Sequence, residues 1–199
     1  MQLHSSFTQL MKVFSAPIQW TDAQVQNFTG QLIVKKYKKG EFLLQPPQVC
    51  EHLFFINSGF CKACIKEEKG RSRIIYFSGE NEFTTDMISF LAAAPMQCNI
   101  YCKALEHMEV VLVPRTALEW IYENVAEGNK LGRVLYRQYA MVKMQDMYDS
   151  YRPDPLERYK SLVLKFPDIE QRLSQKLIAS YLNITPEYFS MLKAKNKRS

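Results

Sequence analysis

The side chains best placed to do chemistry in this sequence lie near its C-terminal end. Ser174, Gln175, Lys176, Thr185, Glu187, Tyr188, Ser190, Lys193 and Lys195 offer hydroxyls, an amide, a carboxylate and ammonium groups within about twenty residues. This is recognition chemistry, hydrogen bonding and charge pairing, with no set of groups that makes or breaks bonds. Glu187 can accept from cytosine, the hydroxyls can meet base edges, and Gln175, Lys176, Lys193 and Lys195 can contact phosphate. To act together these groups need two short helices beneath them. Ser174 reads as an N-cap, and Leu177, Ile178, Ala179 and Leu182 as the buried positions of the first helix. Ala179 falls where the helices cross, and only a small side chain lets their axes approach. Asn183 suits the left-handed backbone of a helix-ending turn. Thr185-Pro186-Glu187 reads as N-cap, N1 proline and first-turn acid, with Phe189 and Leu192 packing the second helix back. The pattern predicts a helix-turn-helix whose second helix, 186–195, is offered to DNA. A helical hairpin that packs against another protein fits the same residues.

Charge placement agrees with a phosphate partner. The sequence carries net charge +6. From Pro155 onward nine Lys/Arg face four Asp/Glu, whereas Met1 to Asp154 has seventeen against sixteen. The excess therefore sits on the segment that contains the helix pair. For Lys193, Lys195, Lys197 and Arg198 alone, a solubilising basic tail is an equal reading. No apolar run reaches about eighteen residues, which predicts no membrane span. The first residues lack the basic and apolar regions of a secretion signal, so a cytoplasmic protein is expected. No Ser/His/Asp, metal-ligand or glycine-rich phosphate signature points to an enzyme, and no cofactor is called for. The five cysteines read as small buried apolar residues. Cys61 and Cys64 have a metal-like spacing, but on a strand residues three apart face opposite ways.

Further toward the N-terminus the periodicity changes twice. Phe7, Leu10, Met11 and Phe14 form a helical stripe, and Thr21 with Gln24 makes a capping box for a second helix. From Leu32 to Val113, seven short runs rich in β-branched and aromatic residues are separated by turn signals such as Lys39-Gly40, Asn57-Ser58-Gly59 and Lys69-Gly70. Seven or eight strands so spaced predict an antiparallel sandwich or barrel. Helical spacing returns at Arg115–Asn124 and again from about Ala126 to Tyr148. There Leu131, Val134, Leu135, Gln138, Met141, Val142, Gln145 and Tyr148 fall near one side, as a coiled-coil seam or a core-facing stripe. Pro153 and Pro155 mark a boundary, and Asp154 caps a helix from Leu156 to Phe166.

In this order the text resembles the Crp/Fnr family of bacterial transcription regulators. Lys38-Lys-Gly-Glu-Phe-Leu-Leu-Gln45 and His52-Leu-Phe-Phe-Ile-Asn-Ser-Gly-Phe60 look like the family's barrel. Glu157-Arg-Tyr-Lys-Ser-Leu162 and Leu177-Ile-Ala-Ser-Tyr-Leu-Asn-Ile-Thr-Pro-Glu187 look like its C-terminal region. The resemblance implies an α+β fold with an N-terminal antiparallel β jelly-roll barrel of the cyclic-nucleotide-binding type in residues 1–124. A long dimerisation helix and hinge in 125–152 and a helix-turn-helix in 153–199 would follow, the latter with a truncated or absent wing. It also implies a homodimer on a two-fold symmetric double-stranded DNA site, with RNA polymerase and an unknown small-molecule effector as further partners.

Two departures refine what the resemblance implies. Nucleotide-binding members use a glycine-glutamate step and an arginine followed by serine or threonine; here those positions hold Thr85-Asp86 and Cys98-Asn99. A buried phosphate without its cation loses a charge-assisted contact, which argues against a cyclic nucleotide. The pocket region would then be Phe83, Thr84, Thr85, Asp86, Gln97, Cys98 and Asn99, with Lys143 and Met144 supplied by the long helix. Many relatives also carry an arginine that reads guanine where this sequence has Met191, so altered specificity is expected.

Overall fold

The computed structural model describes residues 5–66 and 72–196; the expected Lys69-Gly70 turn and the basic residues Lys197 and Arg198 fall outside the described residues. A 3-10 turn (Ser5–Phe7) leads into helices α1 (Thr8–Ser15) and α2 (Asp22–Gly30). The capping box of α2 forms as expected: Gln24 N donates to Thr21 Oγ, and Thr21 N donates to the Gln24 side chain. Leu10, Met11, Phe14 and Phe28 are buried, with Phe14 stacked on Phe28 at 5.1 Å.

Among the described residues eight strands follow: β1 (Ile33–Tyr37), β2 (Phe42–Leu44), β3 (His52–Ser58), β4 (Cys61–Lys66), β5 (Ser72–Ser78), β6 (Phe83–Thr84), β7 (Ile100–Ala104) and β8 (Met108–Pro114). They form two antiparallel four-stranded sheets, in the orders β1-β8-β3-β6 and β2-β7-β4-β5. This is the two-sheet order of a jelly roll. The β3–β4 turn depends on Gly59, whose φ is +95°; an added Cβ would lie 2.5 Å from His107 O. On β4 the alternation sends Cys61 and Ala63 into the barrel and Cys64 to the outer face. On β5 a bulge at Ile75 lets Tyr76 point inward while Phe77 and Ile74 join the outer face.

Helix α3 (Met87–Leu91) lies between β6 and β7; neither α3 nor the two-residue β6 is signalled by periodicity, both being too short to show one. After β8 come α4 (Arg115–Asn124) and α5 (Gly128–Tyr151). Helix α5 begins two residues later than the spacing predicts and ends three residues later. Glu127 turns into the left-handed region (φ 60°), and Gly128 packs so close that a Cβ would sit 2.2 Å from Ile121 O. The chain then forms α6 (Pro155–Lys165), the short α7 (Ile169–Arg172), α8 (Gln175–Tyr181) and α9 (Pro186–Asn196). Asp154 Oδ1 accepts from Leu156 N, capping α6 as expected.

Two apolar cores result. The first fills the barrel and the space under α1, α2, α4 and the start of α5, with Phe55, Ile56, Val111, Ile121 and Leu131 fully buried. The second lies between the outer face of β4–β5 and the last four helices, where Phe60 meets Phe166 edge-on at 4.8 Å and Phe77 lies 4.9 Å from Tyr181. No helix among the described residues is long and apolar enough to cross a membrane.

Candidate nucleic-acid interface and barrel pocket

The C-terminal helix pair is built from the predicted parts. Ser174 Oγ accepts from Leu177 N, Thr185 Oγ1 accepts from Tyr188 N, and Asn183 takes φ 55° between the helices. Ile178, Ala179, Leu182 and Phe189 are completely buried, so α8 and α9 are held against each other by contact rather than by charge. Phe189 also meets Tyr159 edge-on at 5.2 Å. Above this base Gln175, Lys176, Thr185, Glu187, Tyr188, Ser190, Met191 and Lys195 are all exposed. Ser190 Oγ lies 3.3 Å from Gln175 Oε1 and ties the two helices on their outer side. Lys193 is placed differently from the sequence expectation. Its ammonium is 2.9 Å from Glu170 and lies over the Phe189 ring, so it holds α9 to α7 and is not poised for phosphate.

The barrel positions are occupied by the protein itself. Asp86 is 4% exposed and accepts from four backbone amides: Ile88 and Ser89 at one carboxylate oxygen, Asn99 and Ile100 at the other. It caps α3 and pins β7. A carboxylate so engaged has no free lone pairs directed at a ribose. Thr85 Oγ1 donates to His52 O and lies 2.9 Å from Cys50 Sγ. Thr84 Oγ1 lies near Cys102 Sγ and the Tyr76 hydroxyl. Tyr76 and Tyr139 both donate to Thr85 O, and the Lys143 ammonium sits 3.5 Å from the centre of the Tyr76 ring. Phe83 belongs to an aromatic row with Phe55 and Phe14. Gln97 and Asn99 are exposed, Cys98 is buried, and Met144 is half exposed on a different side of α5 from Lys143. The structure thus brings Thr84, Thr85 and Lys143 around Tyr76, and places Gln97, Asn99 and Met144 elsewhere.

Tyr76 and Tyr139 are absent from the sequence expectation, although Leu131, Leu135 and Tyr139 at four-residue steps do signal one face of α5. All five cysteines are buried free thiols. Burial pushes the Cys102 thiol to about 12 and the Cys98 thiol to about 11, which leaves both protonated at neutral pH.

The predicted stripe of α5 divides between two faces. Leu131 is buried and Leu135 packs on the barrel. Gln138, Met141, Val142, Gln145 and Tyr148 are exposed, and Val134 is half-buried. Val134, Gln138, Met141, Gln145 and Tyr148 recur at alternating steps of four and three, the spacing of a coiled-coil seam.

Polar contacts pin the last helices to the barrel. Arg172 pairs with Glu80 at 2.8 Å and with Glu106, and its guanidinium lies over the Phe60 ring. Burial alone would raise the Glu80 carboxyl, but hydrogen bonds from Arg172 and from backbone amides outweigh it and hold it below its ordinary value. Lys165 on α6 reaches Asp146 on α5 at 2.8 Å and Glu82 at 3.4 Å. Burial lowers the affinity of the Lys143 ammonium for its proton, opposed by Asp146 at 3.7 Å.

Comparisons with known proteins agree with this fold. Residues 34–125 match the cyclic nucleotide-binding domain family. No curated protein sequence matches the chain. Among solved structures, the fold is similar to that of a protein from Eubacterium rectale assigned to the Crp/Fnr family of transcriptional regulators. That pair has TM-score 0.68 and 17% identity over 95% of this chain and 86% of the other. It is also similar to FixK2 from Bradyrhizobium japonicum, with TM-score 0.66 and 18% identity over 82% and 83% of the two chains. The c-di-GMP responsive global regulator CLP from Xanthomonas campestris matches with TM-score 0.65 and 13% identity over 89% and 92%. At such identities the likeness establishes a fold. The protein carries a cyclic nucleotide-binding type domain followed by helices arranged as in Crp/Fnr regulators.

Proposed function

We propose that this protein is a cytoplasmic, homodimeric DNA-binding transcriptional regulator of the Crp/Fnr type. Residues 1–124 would sense, 125–152 would pair with a second copy, and 153–199 would bind DNA. The observation that carries the reading is the exposed row Thr185, Glu187, Tyr188, Ser190 and Met191 above a fully buried hairpin core. The heptad-spaced exposed seam of α5 supports pairing, and a two-fold dimer would read a two-fold site in successive major grooves. The controlling signal is not a cyclic nucleotide in the barrel: Asp86 is spent on backbone amides, and Cys98-Asn99 offers no cation to a phosphate. RNA polymerase is a further partner on this reading.

A second reading has its own observation. Met191 is 68% exposed and Tyr188 48% exposed, an apolar face that suits a protein partner for the helix pair. Mobility shift on genomic fragments separates the two. Retention that weakens steeply with salt supports the regulator. Failure to retain any fragment at low salt, with and without cell extract, leaves the protein-contact reading. Sedimentation at micromolar concentration tests the dimer, and a monomer removes the two-fold site.

A further inference from the structure

We infer that the outer face of the sheet β2-β7-β4-β5 carries a docking groove for an extended acidic peptide of a partner protein, with an apolar residue midway between two acids. The groove encloses about 350 Å³ and takes its walls from all four strands and the turn after β2.

Strand register arranges its side chains in three rows. In the first, Phe42 on β2, Lys103 on β7 and Lys62 on β4 lie side by side. In the second, Tyr101 on β7 is paired with Cys64 on β4. In the third, Lys66 on β4 stands beside Ser72 on β5. Like charges directly opposite on neighbouring strands repel, so the Lys62–Lys103 pair works against folding. Lysines that protect a sheet from aggregation belong on its edges, whereas β7 and β4 are the two inner strands here. No carboxylate lines the groove, and Lys62, Lys66 and Lys103 have no ion-pair partner among the described residues. Glu67 and Glu68, outside those residues, are matched in charge by Lys69 and Arg71. The Lys103 ammonium rests instead over the Phe42 ring, 4.8 Å from its centre. Converging ammonium groups that no acid of the groove neutralises call for an anionic occupant.

The spacing selects an extended peptide. Lys62 and Lys66 are four residues apart on one strand, a reach of roughly 13 Å. A compact anion such as phosphate meets one end of that span and leaves the other. An extended chain repeats its same-face side chains about every 6.6 Å, so carboxylates at positions i and i+4 meet the first and third rows. The residue at i+2 then falls on the second row, against Tyr101. Its ring stands edge-on to Phe42 at 5.7 Å, and Pro46 extends the apolar wall. Phe42 is 40% exposed, a large apolar side chain left for an occupant to cover. Tyr101 also packs on the second core, so a docked peptide would abut the seat of the C-terminal helices. This binding does not depend on DNA recognition.

The test is a titration of the full chain at low salt with end-blocked Glu-Thr-Phe-Thr-Glu, followed by backbone amide chemical shifts. Saturable shifts are expected at residues 42–46, 62–66 and 101–103. The control peptides Gln-Thr-Phe-Thr-Gln and Glu-Thr-Gly-Thr-Glu should each bind at least fivefold more weakly. Lys62→Gln and Lys103→Gln should each weaken the acidic peptide at least threefold; if either does not fold, Lys66→Gln takes its place. The proposal is overturned if the acidic peptide shifts no groove residue, if the glycine control binds equally well, or if the lysine variants bind undiminished. It is equally overturned if inorganic phosphate or a DNA duplex saturates the same residues at lower concentration than the peptide.

Discussion

Asp86 and Glu187 are both acids that the sequence offers as contacts, one to a barrel ligand and one, on α9, to a DNA base. Asp86 is buried and accepts four amide hydrogens from its own chain; Glu187 is exposed and has no hydrogen bond or ion pair among the described residues. The same contrast runs through their surroundings. Thr84, Thr85, Tyr76 and Tyr139 satisfy one another, whereas the Tyr188 and Met191 side chains face outward. Polar groups that satisfy one another hold a fold together, and Asp86 does so in the barrel, whereas the Glu187 carboxylate on α9 is left to solvent.

The comparison can be broken most forcefully at Asp86. Asp86→Ala strands four amides and should cost about 3–5 kcal/mol of stability, read from the denaturant midpoint; Asp86→Asn should recover part of that loss. If Asp86→Ala left stability unchanged, the carboxylate would not be a structural brace. Phe189→Ala should cost about 3 kcal/mol through a cavity in the second core, and amide exchange should show the loss concentrated in α8 and α9. Arg172→Ala should cost about 1 kcal/mol, because solvent screens its partly exposed partners, and should loosen the last helices from β4–β5.

A smaller, pH-dependent effect follows from Glu80. Its folded carboxyl is depressed, so its contribution is present in full above the unfolded value of about 4.3 and is lost as pH falls through the lower folded value. The difference in melting temperature between wild type and Glu80→Gln should therefore narrow below that pH. Glu187→Ala should move stability by less than about 0.5 kcal/mol while altering the preferred base in selected DNA sites. An equal stability loss at Glu187 and Asp86 would erase the contrast between the two regions.

Local chemistry was largely legible in the sequence. The caps at Thr21, Asp154, Ser174 and Thr185, the left-handed Asn183 and the buried Ile178, Ala179 and Leu182 all depend on neighbours within four residues. The strands were legible because turn residues punctuate them. What stayed hidden requires pairing across the chain. Arg172 meets Glu80 92 residues away, and Tyr139 meets Thr85 54 residues away. Asp86 looks like a ligand contact until the amides of Asn99 and Ile100 are brought to it. The stripe of α5 was visible, but its division into barrel-facing and outward residues needed the barrel beside it.

The alternation on β4 has a practical consequence. Cys61 and Cys64, three residues apart, lie in different cores, one inside the barrel and the other beneath the C-terminal helices. They form a pair of native reporters for two separate opening events. Under a thiol reagent, Cys64 should become reactive when the helices lift from β4–β5, and Cys61 only when the barrel itself opens. The ratio of the two labelling rates would measure how independently the two halves of the molecule move.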